Sequence, residues 1–143
     1  MTHSTESIGI RCSRSKSTLW FYPPGVVLAT GKTAQLGESL SFATPRTHYV
    51  WSDLTATGND IVASLLYVPQ VREVAVRERY FSLTLKQEHA DEALRCWEQV
   101  LRTTVGLIRS IAAPGAPVCR VSPVDRRLKR SDEWHLPLLE RLF

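Results

Sequence analysis

Residues 65–85 read LLYVPQVREVAVRERYFSLTL, and this segment decides the fold. Apolar and polar residues alternate on both sides of a charged centre, as they do in two half-buried β-strands. The centre, around Arg77 and Arg79, lacks the Asn-Gly or Asp-Gly pair of a two-residue turn. We therefore expect an antiparallel hairpin with a loop of about three to five residues. The side chains expected on its buried face are Val74, Val76, Phe81, Leu83 and Leu85.

A helix is predicted on each side of this hairpin. Before it, the segment TGNDIVASLLY offers Thr57 or Asn59 as the N-cap and has apolar residues at helical spacing. Pro69 disfavours helical backbone at the residue before it, so this helix should end just ahead of Pro69. After the hairpin, residues 90–111 form the clearest helix, with acidic residues at its start. Its apolar stripe consists of Ala93, Leu94, Trp97, Leu101, Thr104, Ile108 and Ile111.

Further strands are predicted at STLWFY, residues 17–22, and somewhere between Val26 and Trp51. The simplest arrangement is an α+β fold, with two main helices packed on one face of a small antiparallel sheet and a short helix in a C-terminal tail. The predicted divisions are a flexible N-terminal flank at residues 1–14, an α+β domain at residues 15–111, and a Pro-rich basic linker with an apolar C-terminal segment at residues 112–143.

The composition is that of one globular domain, with 143 residues, 43% hydrophobic and 22% charged. No apolar run approaches the roughly 20 residues that span a bilayer, so no membrane partner is expected. The N-terminal residues include Glu6 and lack the apolar centre of a secretory signal. We expect a cytoplasmic protein, with an organellar targeting peptide as the alternative.

The net charge of +4 is concentrated in the flanks, because residues 18–111 hold nine basic and nine acidic side chains. A nucleic-acid-binding domain normally carries a basic patch on its folded face, since phosphate contacts supply much of the affinity. The charge distribution therefore favours protein partners over nucleic acid.

No catalytic, metal or cofactor site is predicted. Cys12, Cys96 and Cys119 are odd in number and widely separated, which fits neither a disulfide framework nor a metal site within one chain. Asp60 and Asp91 are explained by helix starts, and the acidic residues form no acid/base pair. The segment ATGKTAQ lacks the first Gly of a phosphate-binding P-loop. We expect a protein that is not an enzyme.

The C-terminal segment SDEWHLPLLERLF has Ser131 as a predicted N-cap for a short helix. Its apolar side either folds back on the chain or docks on another subunit or protein. The candidate partner-binding residues are Trp134, Leu138, Leu139, Leu142 and Phe143. The preceding basic run provides candidate contacts to an acidic protein or to RNA, namely Arg126, Arg127, Lys129 and Arg130.

Several motifs resemble the N-terminal domain of NifU-like (Nfu) iron–sulfur scaffold proteins. The segment TLWFYPPGVVLATG, residues 18–31, is similar to that domain's Thr-Leu-Lys-Phe strand with its following Pro-Gly, Val-Leu and Gly. The segment SLLYVPQV, residues 64–71, is similar to Ala-Leu-Phe-x-Ile-Pro-Gly-Val, and the hairpin follows in the same order. The resemblance covers roughly residues 15–110. Gln70 replaces the family's Gly, and the chain has no Cys-x-x-Cys pair.

This resemblance implies a non-enzymatic accessory or adaptor protein that acts in iron–sulfur cluster assembly or delivery through protein–protein contacts. Its partners would be assembly components or client proteins, with a homodimer left open. It would hold no cluster in the family's way, because the cluster-binding Cys-x-x-Cys domain is missing. The alternative is a small nucleic-acid-binding module that uses its basic flanks.

Overall fold

The structure is a computed structural model, which describes residues 6–31, 40–43, 53–86, 90–121 and 132–143. These residues contain one six-stranded mixed sheet and three helices, so the predicted α+β class is confirmed. The strands are β1 (Ile8–Cys12), β2 (Thr18–Tyr22), β3 (Leu40–Ala43), β4 (Val71–Val76), β5 (Phe81–Leu85) and β6 (Val118–Arg120). The helices are α1 (Ala56–Leu66), α2 (Ala90–Ile111) and α3 (Leu136–Leu142).

The hairpin that decides the fold is confirmed as β4 and β5. Val74 lies opposite Leu83, and Val76 lies opposite Phe81, in an antiparallel register. The connecting loop is closed by the Arg77 amide, which donates to the Tyr80 carbonyl oxygen at 2.8 Å. All five side chains predicted for the inner face are buried. The alternation in the sequence thus determines which face of the sheet receives the helices.

The sheet order is β3-β4-β5-β2-β1-β6. It differs from the prediction at the side of the sheet that contains β1 and β6. The sheet is mixed rather than purely antiparallel, because β6 runs parallel to β1. Residues 1–14 are not a flexible flank throughout, since Ile8–Cys12 forms β1 between two other strands. The reason is the inward burial of Ile8, Ile10 and Cys12 at alternate positions. Likewise, the expected linker contributes β6 to the sheet.

Helix α1 begins two to four residues earlier than predicted and ends where predicted. Its N-cap is Thr55, whose hydroxyl accepts a hydrogen bond from the Gly58 amide at 3.0 Å. The same hydroxyl donates to the carbonyl oxygen of Val27 at 2.7 Å, a tertiary contact that local pattern does not show. The C-cap is Tyr67, as the position of Pro69 indicates.

Helix α2 has the predicted bounds and packs with α1 on the inner face of the sheet. Trp97 is fully buried in the middle of its apolar stripe, and its indole N–H donates to the Lys16 carbonyl oxygen at 2.8 Å. The hydrogen bond satisfies the polar atom that burial of an indole would otherwise leave unpaired. Within the part of the chain that the structure describes, no helix is long and apolar enough to cross a membrane.

Candidate functional site

The C-terminal segment docks on its own chain, which is one of the two arrangements that the sequence left open. Leu138 and Leu139 are buried, and Trp134 and Leu142 pack partly buried against the core. The Trp134 indole N–H donates to the Ser13 carbonyl oxygen at 2.7 Å. Of the five candidate partner-binding side chains, only Phe143 is strongly exposed, at 43%. The predicted N-cap, Ser131, lies outside the described residues.

Buried polar groups hold this segment against β1 and β6. The carboxylate of Glu133 is only 3% exposed and accepts hydrogen bonds from Arg120, with Nε at 2.8 Å and Nη2 at 2.6 Å. This bidentate pairing raises the pKa of the Arg120 guanidinium. His135 is fully buried, and its Nε2 lies 3.1 Å from the Ile10 carbonyl oxygen. Burial lowers the pKa of His135, so the ring is neutral and donates from Nε2.

The cysteines occupy three different environments. Cys12 is buried beside the C-terminal segment, and burial, followed by the charge of Glu133, raises the pKa of its thiol. Cys96 is partly buried against the core, whereas Cys119 is exposed on β6. A buried thiol with a raised pKa is a poor nucleophile, since the thiolate is the reactive form. Among the described residues, no three His, Cys, Asp or Glu side chains are grouped so that they could hold a metal ion.

Two open grooves lie on the two sides of α3. The first, of about 400 Å³, lies between α3 and β6, the last strand of the described sheet. Its lining includes Val118, Leu136, Leu139 and Phe143, with Arg120 and Glu140. The second, of about 420 Å³, lies between α3 and α2, and the ion pair of Arg141 with Glu98 joins two of its lining residues. The second groove has the more apolar lining, whereas the first is the one bordered by the exposed Phe143 ring.

Phe143 is held over the first groove by its neighbours. The Arg109 guanidinium carbon lies 5.8 Å from the Phe143 ring centroid, within the range of a cation–π contact. The Arg109 Nε also donates to the Ala116 carbonyl oxygen at 2.9 Å, which fixes the guanidinium next to the strand that carries Val118. An exposed aromatic ring is thus positioned beside an apolar groove.

The outer face of the sheet carries a second group of accessible side chains, which we call the aromatic–arginine patch. Its members are Arg11, Trp20, Tyr22, Arg77 and Tyr80. The Arg11 guanidinium carbon lies 4.4 Å from the Trp20 ring centroid. The Tyr22 and Tyr80 rings stack with centroids 4.9 Å apart, and the Arg77 guanidinium carbon lies 5.6 Å from the Tyr80 centroid. All five side chains are partly exposed.

The sequence contained a signal for this patch that the charge count did not use. In TLWFY, the buried Leu19 and Phe21 alternate with Trp20 and Tyr22, so the latter two must point away from the helices.

The predicted contacts to an acidic protein or RNA lie outside the described residues, namely Arg126, Arg127, Lys129 and Arg130.

Comparisons of the chain with protein-family models, with curated proteins and with solved structures gave no match. The resemblance to the Nfu N-terminal domain therefore stays a prediction from the quoted motifs.

Proposed function

We propose that the chain is a non-enzymatic accessory or adaptor protein that acts in iron–sulfur cluster assembly or delivery by binding other proteins. The resemblance of its motifs to the Nfu N-terminal domain supports the pathway. The single structural observation that supports binding is the open groove between α3 and β6, with Phe143 exposed at 43% beside it. An exposed aromatic ring at an apolar groove is typical of the anchor positions of protein interfaces.

The groove has the composition of a small protein-binding site. Val118, Leu136 and Leu139 give it an apolar floor, while Arg120 and Glu140 supply charge. Interfaces commonly combine an apolar centre with a polar rim, which excludes water from the central contact. The occupant that fits is a short apolar segment of a partner protein, with one or two side chains inserted beside Phe143.

The buried anchors of the C-terminal segment would serve this function by keeping the groove preformed. Trp134 is tied to Ser13, and His135 to Ile10, so the segment that carries α3 is attached to the chain at several points. A preformed groove loses less conformational entropy on binding than a mobile segment does. In this proposal, the partner holds the iron–sulfur cluster, and the chain supplies only binding and orientation.

Titration calorimetry tests the proposal with a purified Nfu-type Cys-x-x-Cys domain that carries its cluster. We expect binding by the wild type and a loss of about tenfold or more in affinity for Phe143→Ala, in the range of a moderate interface anchor. The matched control is Tyr67→Ala, because Tyr67 is 88% exposed at the C-cap of α1 and does not line the α3 groove. Equal affinities of the two variants, or no binding by the wild type, would contradict the proposal. Light scattering of the chain alone shows whether a second copy occupies the groove instead.

A further inference from the structure

The aromatic–arginine patch forms a continuous row across four neighbouring strands. Arg11 belongs to β1, Trp20 and Tyr22 belong to β2, Tyr80 precedes β5, and Arg77 follows β4. These strands are adjacent in the sheet order, so the row is about 14 Å wide, or three inter-strand spacings. The row is therefore wide enough for about two or three bases, as in other sheets that stack unpaired nucleotides.

Within the part of the chain that the structure describes, no carboxylate forms an ion pair with the two arginines of the patch. Among the described residues, neither Arg11 nor Arg77 takes part in an ion pair, and Nε of Arg11 has no hydrogen-bond partner. Both guanidinium groups lie on aromatic rings instead. Lys86 continues the outward alternation past β5, and Glu73 is the acidic residue at an outward position of β4. The described outer face thus carries an excess of positive charge, to which Arg11 of the N-terminal flank and Arg77 and Lys86 of the balanced central region contribute.

Stacked rings, together with guanidinium groups that form no ion pair among the described residues, match one class of partner. Unpaired bases stack on aromatic rings and on guanidinium planes, and their phosphates pair with arginine. An acidic peptide would use the arginines but not the stacked rings. A duplex presents no free base faces, so it would use only the charges.

We propose that the aromatic–arginine patch binds single-stranded nucleic acid, with bases stacked along Trp20, Tyr22 and Tyr80 and phosphates on Arg11 and Arg77. This activity is independent of the proposed adaptor function. The patch lies on the outer face of the sheet, whereas α3 and its groove lie on the inner face with the other helices. Loss of one activity in a variant therefore leaves the other measurable.

Fluorescence anisotropy with labelled 12-nucleotide oligouridine and oligodeoxythymidine tests the proposal on the full chain. We expect at least one of the two oligonucleotides to bind. Tyr80→Ala should weaken this binding by about 5- to 100-fold, because it removes one stacking contact. Tyr80→Phe should retain binding, since the ring and not the hydroxyl makes the contact. Binding should weaken with salt, and Arg77→Gln should lower the slope of log affinity against log salt by about 0.7.

The matched charge control is Arg102→Gln, because Arg102 is exposed on α2 and carries the same charge on the other side of the sheet. It should leave both the affinity and the salt slope unchanged, and circular dichroism confirms that each variant is folded. The proposal is overturned by no binding at low salt, by equal affinity for duplex, or by equal affinities of Tyr80→Ala and wild type. It is also overturned if neutralising Arg126, Arg127, Lys129 and Arg130 alone abolishes binding. The proposal also fails if patch variants lose binding to the Nfu-type Cys-x-x-Cys domain but keep their affinity for the oligonucleotides, because the patch would then be a protein-binding face.

Discussion

The same substitution, Gly→Ala, should have opposite effects at two helical positions of this protein. Gly58 is buried in the first turn of α1, where an added Cβ would overlap the carbonyl oxygen of Leu28 and lie 2.9 Å from its carbonyl carbon. Gly106 lies in α2, and an added Cβ there would meet nothing within 4 Å. The two variants share their chemistry and their secondary structure, so their difference measures packing.

The expected magnitudes follow from these surroundings. Alanine is favoured over glycine in a helix interior by about 0.8–1.0 kcal/mol, and Gly106→Ala should gain about this much stability. At Gly58 the backbone of Leu28 must move to admit the methyl group, and overpacking of this kind costs about 1–3 kcal/mol. That movement also disturbs the Thr55 amide, which donates to the Leu28 oxygen at 3.0 Å beside the N-cap. Loss of the cap costs about 1 kcal/mol more. Because the helix preference for alanine offsets about 0.8–1.0 kcal/mol of these costs, Gly58→Ala should be destabilised by about 1–3 kcal/mol in total.

Urea denaturation followed by circular dichroism measures the free energy of unfolding of both variants against the wild type. Thermal unfolding should agree, with shifts of about 4 °C for each kcal/mol in a chain of this size. A Gly58→Ala protein as stable as Gly106→Ala would show that α1 does not approach Leu28 as described. A destabilised Gly106→Ala protein would also contradict the reasoning, because another part of the protein would then have to lie against α2 at that position.

Four further predictions concern the core, the C-terminal segment and the cysteines. Phe81→Ala should lower the free energy of unfolding by about 3–5 kcal/mol, because this side chain is fully buried; a change below about 1 kcal/mol in urea denaturation would contradict its position. Removing residues 132–143 should lower the melting temperature and expose a dye-binding apolar surface, and an unchanged melting curve would show that the segment is not docked. Burial lowers the pKa of His135 from its ordinary value of 6.5, so the unfolded chain takes up the proton first as the pH falls. Stability should be constant with respect to this group above about pH 6.5 and fall below it, and His135→Gln should reduce that fall. Anaerobic reconstitution should give no stoichiometric cluster on the isolated chain, because its three dispersed cysteines cannot supply the usual four thiolates; a stable cluster lost on Cys→Ser substitution would disprove this.

Elements that depend on local pattern were predictable from the sequence, and those that depend on distant pairing were not. The β4–β5 hairpin, the end of α1 before Pro69 and the whole of α2 follow from alternation, helical spacing and a proline. By contrast, β6 has only three residues, and the parallel pairing of β1 with β6 joins Ile8 to the distant Val118. The pairing joins two segments far apart in the sequence, so their position in the flanks and the prolines near β6 led to the wrong prediction of a flank and a linker.

The candidate sites show the same limit. Burial of Leu138 and Leu139 agrees with their apolar character, but only the three-dimensional structure shows that the surface they cover belongs to the same chain. The aromatic–arginine patch combines residues from β1, β2 and the β4–β5 loop, and a net charge summed along the chain cannot show that Arg11 and Arg77 lie on one face. The positions of β2, β4 and β5 could be predicted from local sequence, whereas β1, β6 and the order of the strands in the sheet could not.

The attachment of β1 to the C-terminal segment has a consequence for the order of events during protein synthesis. The contact of His135 with Ile10 joins residues 125 positions apart. Strand β1 is therefore synthesised well before the C-terminal segment that contacts it. At translation rates of about 5–20 residues per second, that interval lasts roughly 6 to 25 seconds. During it, β1 can pair with β2 but has neither β6 nor His135 beside it. The nascent chain therefore presents an incomplete sheet edge near the ribosome, and chaperone binding to Ile8–Cys12 would protect the protein at this stage.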